Sequence, residues 1–190
     1  MSGLPKLIPA YSDDCVVASV TMVCMYWRVK RLDLRWNLPE DLEASEWDGF
    51  LQEGRRRVRQ AGLPEGSLYE YLGELGLPLT VKYKQLFGLE SIFSMLNAEI
   101  PPVPVFDRSF MFTGRQSYGH AGVVVGRTKE LIVMMDPANA PRIRTEYSMR
   151  EFSEAWKKRN NLTILIYPED MQVQLTEVPS KAKTLTEFLG

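Results

Sequence analysis

Apolar residues crowd every face of one early segment. From Cys15 to Lys30 the chain reads Cys-Val-Val-Ala-Ser-Val-Thr-Met-Val-Cys-Met-Tyr-Trp-Arg-Val-Lys, which predicts a buried central helix rather than a surface one. The β-branched content would also suit a strand. Sixteen residues is long for a strand, however, and Ser12-Asp13-Asp14 just ahead offers helix-capping side chains. Residues 1–12, punctuated by Pro5 and Pro9, read as extended. Beyond Pro39 a second helix is expected from about Ala44 to Ala61, closed by Gly62. There Trp47, Phe50, Leu51, Val58 and Ala61 recur at helical spacing, and Arg55, Arg56, Arg57 and Arg59 form its solvated face. A short helix from Ser67 to Leu75 stops at Gly76 and Pro78, and Leu79 to Tyr83 alternates like a strand.

Leu89 to Ala98 is a further helix, ended by Pro101-Pro102, and Val103 to Phe106 a short strand. Residues 107–119, with Gly114 and Gly119, read as a loop. His120 to Gly126 and Leu131 to Asp136 are buried strands joined tightly through Arg127 to Glu130. Ser148 to Lys158 is an amphipathic helix carrying Phe152 and Trp156, and Leu162 to Tyr167 a last strand stopped by Pro168. Helices come first and antiparallel strands second, an α+β layout. One domain over residues 1–168 is expected, with 169–190 as a more polar C-terminal appendage.

Composition changes this picture little. The 190 residues, 45% hydrophobic and 25% charged with a net charge of -1, suit one globular domain. No global field draws it to nucleic acid or to a membrane, so neither is expected as a partner. No apolar stretch approaches the roughly 20 residues that span a bilayer, and the proline-interrupted N-terminus is a poor secretory signal. A cytoplasmic location is the expectation. Cys15 and Cys24 lie nine residues apart on one predicted helix, about 180° around it, so a disulfide between them is not expected. With a single histidine, neither is a zinc site, and no cofactor is expected.

Candidate chemistry enters with Cys15. A thiol becomes a useful nucleophile when its thiolate is stabilised, which a helix N-terminus and a neighbouring imidazolium can do. A lone cysteine is more often a small buried hydrophobe. His120, the only histidine, shifts the balance because it opens a strand directly after a glycine-bearing loop. Asp136 closes the next strand ahead of Pro137, where a hairpin would bring it beside His120. A carboxylate there can accept the imidazole N–H and fix its tautomer, although Asp-Pro also serves simply as a turn opener. Cysteine on an early helix, histidine on a strand and acid on the following strand is the order found in papain-like enzymes.

These segments resemble the bacteriocin-processing cysteine peptidases and their leader-peptidase-like relatives. Asp14-Cys15 with Ala18 and Met22 resembles the family's nucleophile helix. Gly119-His120-Ala-Gly-Val-Val-Val-Gly is similar to its histidine strand and Met135-Asp136-Pro137-Ala138 to its acid motif. Ser148-Met-Arg-Glu-Phe152 with Trp156 is similar to the helix that follows, and Leu89 to Phe106 to an earlier helix-and-strand element. The resemblance spans roughly residues 10 to 167. It implies a papain-like α+β fold, and a peptide or amide substrate cleaved through a thioester on Cys15, with His120 as base and Asp136 orienting it. Two positions depart from the family: Val16 replaces its glycine, and Pro9 stands where it has a glutamine that donates to the oxyanion. Losing one such donor typically costs about 100- to 1000-fold in turnover. Three readings therefore stay open: hydrolysis, acyl transfer on the same fold, and a papain-fold module that binds peptide without cleaving it. Oligomeric state is not legible.

Overall fold

A computed structural model of the chain describes residues 15–34, 65–74, 76–86, 88–139 and 144–173, together with helical positions at 49, 52–54 and 56. The expected extended segment 1–12, most of the helix expected over 44–61, and residues 174–190 lie outside the described residues.

The early apolar segment forms helix α1 over Cys15–Lys30, buried along most of its length. Glu65–Glu74 is α2, Leu79–Gln85 is β1, Leu89–Asn97 is α3 and Val103–Phe106 is β2. Arg108–Thr113 is α4, His120–Ala121 β3, Val123–Arg127 β4 and Leu131–Met135 β5. A 3-10 turn over Pro137–Asn139 leads to β6 at Arg144–Ser148, α5 at Met149–Lys157 and β7 at Leu162–Pro168. Among the described residues the strands make two antiparallel sheets, ordered β1-β7-β2-β3 and β4-β5-β6. They are continuous in sequence through Gly122, between β3 and β4.

The two-residue period of the strands sorts their side chains between two cores. Val123, Val125, Val133 and Met135 share one apolar cluster with Val103, Val105 and the side chains of α1. Their neighbours Val124, Ile132 and Met134 belong to a second cluster with Phe106, Ile92 and Phe93 of α3 and Phe152, Ala155 and Trp156 of α5. The spacing 152, 155 and 156 is one helical face, so α5 buries a single stripe whereas α1 is wrapped almost completely. Strand β7 is buried throughout, as a strand between two hydrogen-bonded neighbours and under α1 should be. The Trp27 indole N–H donates to the Ile166 carbonyl at 2.7 Å and ties α1 to β7, so the polar edge of this buried ring is satisfied.

Three local features differ from the sequence reading. Residues 108–113, read as loop, form α4. Asp107 caps it by accepting the Phe110 N–H at 3.0 Å, and Gly114 ends it at φ 67. Six residues are too few to display helical periodicity, although both caps stand in the sequence. Strand β6 carries no strand signal in the sequence because Arg-Thr-Glu-Tyr-Ser is polar and buries only Tyr147. The strand expected from His120 to Gly126 divides at Gly122: Phe106 pairs with His120, whereas Val123 pairs with Met135.

Candidate active site

Three elements converge on His120. Cys15 is the first residue of α1, His120 the first of β3, and Asp136 follows the last residue of β5. All three are buried, Cys15 and His120 at 7% exposure and Asp136 at 0%. The register that pairs Phe106 with His120 also sets their rings edge to face, with centroids 5.3 Å apart. Phe106 in turn meets Tyr147 and Phe152, so a packed aromatic floor fixes the imidazole from below.

His120 Nε2 lies 2.7 Å from Asp136 Oδ1. Cys15, at the start of α1, also lies close enough to His120 to act on its ionisation. With Nε2 committed to the carboxylate, Nδ1 is the ring nitrogen left to face the sulfur. Burial by itself would lower the imidazole pKa. The hydrogen bond to Asp136, then the interaction with Cys15 and the negative charge of both, outweigh burial and lift it to about 9. For Asp136, burial pushes the pKa up, but the hydrogen bond and charge of His120, then the Tyr147 hydroxyl and the Ala138 N–H, hold it below the ordinary carboxylate value. A protonated imidazole beside an ionised carboxylate is thus the resting arrangement near neutral pH.

The carboxylate is held on both oxygens. Oδ1 also accepts the Ala138 N–H at 2.8 Å, a bond made possible by the 3-10 turn that Pro137 opens. Oδ2 accepts the Tyr147 hydroxyl and, at 3.4 Å, the Asn139 amide. Burial, and then the charge of Asp136, raise the Tyr147 pKa, so this hydroxyl stays a donor. Arg108 completes the set, with Nε 3.4 Å from Oδ2 in an ion pair and a terminal nitrogen donating to Asn139 Oδ1. Sequence reading brought out Cys15, His120 and Asp136, and the fold gathers all three. It did not bring out Tyr147, Asn139 or Arg108. Asn139 sits in the Asp-Pro turn, but nothing in the sequence links the other two to Asp136.

The segment before His120 is anchored separately. Asp107 Oδ2 accepts the Ser117 N–H at 2.8 Å, and Arg159 both pairs with Asp107 at 3.6 Å and donates to the Ser117 carbonyl. Asp107 and Arg159 are buried, where a charge persists only when paired. Among the described residues, no group of three or more histidine, cysteine or carboxylate side chains could hold a metal ion.

Gly122 sets the approach of Asp136. A Cβ there would lie 3.1 Å from Met134 Cε, 3.2 Å from the Met135 carbonyl oxygen and 3.6 Å from Asp136 Cα. The methionine tip can move, but the carbonyl belongs to the backbone that carries Asp136. Gly122→Ala is expected to cost about 1–2 kcal/mol of stability through this overpacking. It should also slow Cys15 alkylation by about 10-fold, since small displacements of a positioned group are costly. Urea midpoints and iodoacetamide rates measure the two effects; a wild-type alkylation rate in the variant would show that Asp136 tolerates the shift.

The model of the peptidase C39-like family matches residues 6–164. No curated protein matches the chain significantly. Among solved structures, the fold is similar to that of a protein described as a C39-like peptidase from Bacillus anthracis, with a TM-score of 0.58 and 13% identity over 90% of this chain and 98% of that one. It is also similar to a double-glycine motif protease of an AMS/PCAT transporter, solved with its leader peptide, at a TM-score of 0.55 and 15% identity over 88% and 93% of the two chains. At such identities these likenesses concern the fold, which is the papain-like α+β arrangement. The family match covers most of the sequence and includes Cys15, His120 and Asp136: the chain belongs to the peptidase C39-like family.

Proposed function

We propose that the protein is a cysteine peptidase that cleaves a peptide bond through a thioester on Cys15. The observation that carries this reading is the buried His120–Asp136 pair at 2.7 Å, with Cys15 at the start of α1 acting on the same imidazole, which is already disposed to carry a proton. In the first step the thiolate sulfur attacks the scissile carbonyl carbon, forming a C–S bond and an oxyanion. The backbone N–H groups in the first turn of α1, which have no partner within the helix, supply donors for that negative charge. As the intermediate collapses the C–N bond breaks, and the amine leaves with the proton from His120. His120, now neutral, takes a proton from water, whose oxygen attacks the thioester. Collapse of that second intermediate breaks the C–S bond, the acid product departs, and the Cys15 thiolate is restored beside protonated His120. Asp136 keeps the ring aimed throughout.

A peptide substrate is supported by the family and by the leader peptide bound to the similar transporter protease. A second reading, a peptide-binding module without turnover, is favoured by Pro9 in place of the oxyanion glutamine. Position 9 lies outside the described residues. Digestion of a defined peptide library, followed by mass spectrometry, separates the two. Cuts that appear with the wild type and vanish with Cys15→Ala support the peptidase. Peptide retention without any cut, and without acylation by an activated ester, would establish the binding module instead.

A further inference from the structure

Asp136 has more positive company than orienting a histidine requires. His120 takes one of its oxygens at 2.7 Å, while the Arg108 guanidinium stands 3.4 Å from the other. Arg108 is not a wandering surface cation. Its backbone begins α4 directly after the buried cap Asp107, its terminal nitrogen bonds Asn139, and its guanidinium lies 5.2 Å above the Phe112 ring. The Asp136 side chain is fully enclosed and that of Arg108 is 32% exposed, so the pair is only partly screened by water.

One buried carboxylate is therefore shared by two cations. A carboxylate serving His120 alone would hold the imidazolium so firmly that its proton would pass reluctantly to a leaving amine. A second cation on the far oxygen draws off part of that attraction. We propose that Arg108 is a positioning residue that partly neutralises Asp136 and so sets how readily His120 gives up its proton. The benefit to catalysis rests on the cysteine-peptidase reading above; the electrostatic effect on His120 does not.

The other groups around the ring do not supply this balance. Cys15 on α1 contributes negative charge, Tyr147 on β6 stays neutral, and Phe106 on β2 and Asn139 on the turn carry none. Asp107 and Arg159 beneath the preceding loop pair with each other, and their charges cancel. Among the described residues, Arg108 is the cation that faces the carboxylate from outside the Cys15–His120 pair.

The single histidine makes the test direct, because its ring signals in proton–carbon NMR report one group. Arg108→Gln and Arg108→Met remove the charge at a half-buried first-turn position and keep most of the side-chain length, so both variants should fold. Removing a cation favours the protonated ring. The His120 midpoint is therefore expected to rise by about 1 pH unit, the size of one charge acting across several ångströms of partly solvated protein. The same rise should appear in a Cys15→Ala background, where the thiol contributes nothing. Arg108→Lys keeps the charge and should restore most of the wild-type midpoint, which a purely structural role for the guanidinium would not predict. An unchanged or lowered midpoint in the folded neutral variants overturns the proposal, even if Cys15 acylates normally. A raised midpoint in a protein that never acylates sustains the role of Arg108 and removes only the peptidase reading.

Discussion

Replacing Cys15 with alanine is expected to abolish the burst of product from an activated ester and to reduce peptide cleavage by on the order of 10⁵-fold or more. The substitution takes the nucleophile and nothing else: one sulfur is lost from a small side chain in the first turn of α1, which remains able to pack as alanine. Far-UV circular dichroism and urea midpoints should therefore stay close to wild type. The second thiol supplies an internal control. Cys24 lies on the opposite face of α1 with no exposure, and burial lifts its pKa to about 12, so almost none of it is thiolate at neutral pH. Iodoacetamide should label Cys15 alone in the folded wild type, nothing in folded Cys15→Ala, and Cys24 only after denaturation. Native labelling of Cys24 ahead of Cys15 would refute the assignment of the nucleophile.

Asp136→Ala should combine the largest loss of stability with a deep loss of activity. The carboxylate accepts from His120, Ala138, Tyr147 and Asn139 and pairs with Arg108, so its removal strands several buried donors at once. Breaking a buried ionic pair from one side typically costs about 3–5 kcal/mol. For a chain of this length that lowers Tm by roughly 10 °C. Asp136→Asn keeps an acceptor for Tyr147 but loses the charge, and should cost less. The same pair imposes a pH dependence whose sign follows from its shifts. His120 is raised from 6.5 to about 9 on folding, so its contribution is complete below about 6.5 and disappears as pH rises through about 9. Asp136 is lowered from 3.8, so its contribution is present above that value and disappears as pH falls through the lowered one. Urea midpoints for the wild type should thus be highest between about pH 4 and 6.5 and decline on either side. Asp136→Asn should flatten both flanks. Equal pH profiles for the two proteins would show that the carboxylate and imidazole are not coupled in the folded state.

Much of this arrangement is written in local sequence. An all-round apolar run over 15–30 has one stable solution, a helix surrounded by other structure, and α1 takes it. The alternating and continuous apolar runs at 79–83, 103–106, 131–136 and 162–167 likewise give rise to β1, β2, β5 and β7, because the two-residue period commits their side chains to a buried face. Cys15, His120 and Asp136 could be singled out since each stands at an element boundary, where a functional group meets a cleft. Weak signals were lost where polarity hid the element. Strand β6 reads as a solvated edge, and α4 is too short for its period to register.

By itself, then, the sequence determined the identity and order of the candidate residues, the helix that begins at Cys15 and the strand that begins at His120. What surrounds Asp136 was decided only in three dimensions. Arg108 lies 28 residues before Asp136 and Tyr147 lies 11 after it, on an α-helix and a strand that share no sequence pattern. They reach the same carboxylate oxygen because β5 and β6 pair in register, because Asp107 starts α4 at the end of β2, and because Gly122 leaves room for the backbone of Asp136. Periodicity reports which face of its own element a residue occupies. Which charges share a buried carboxylate depends instead on how separate elements pack, and that packing sets how tightly His120 holds its proton.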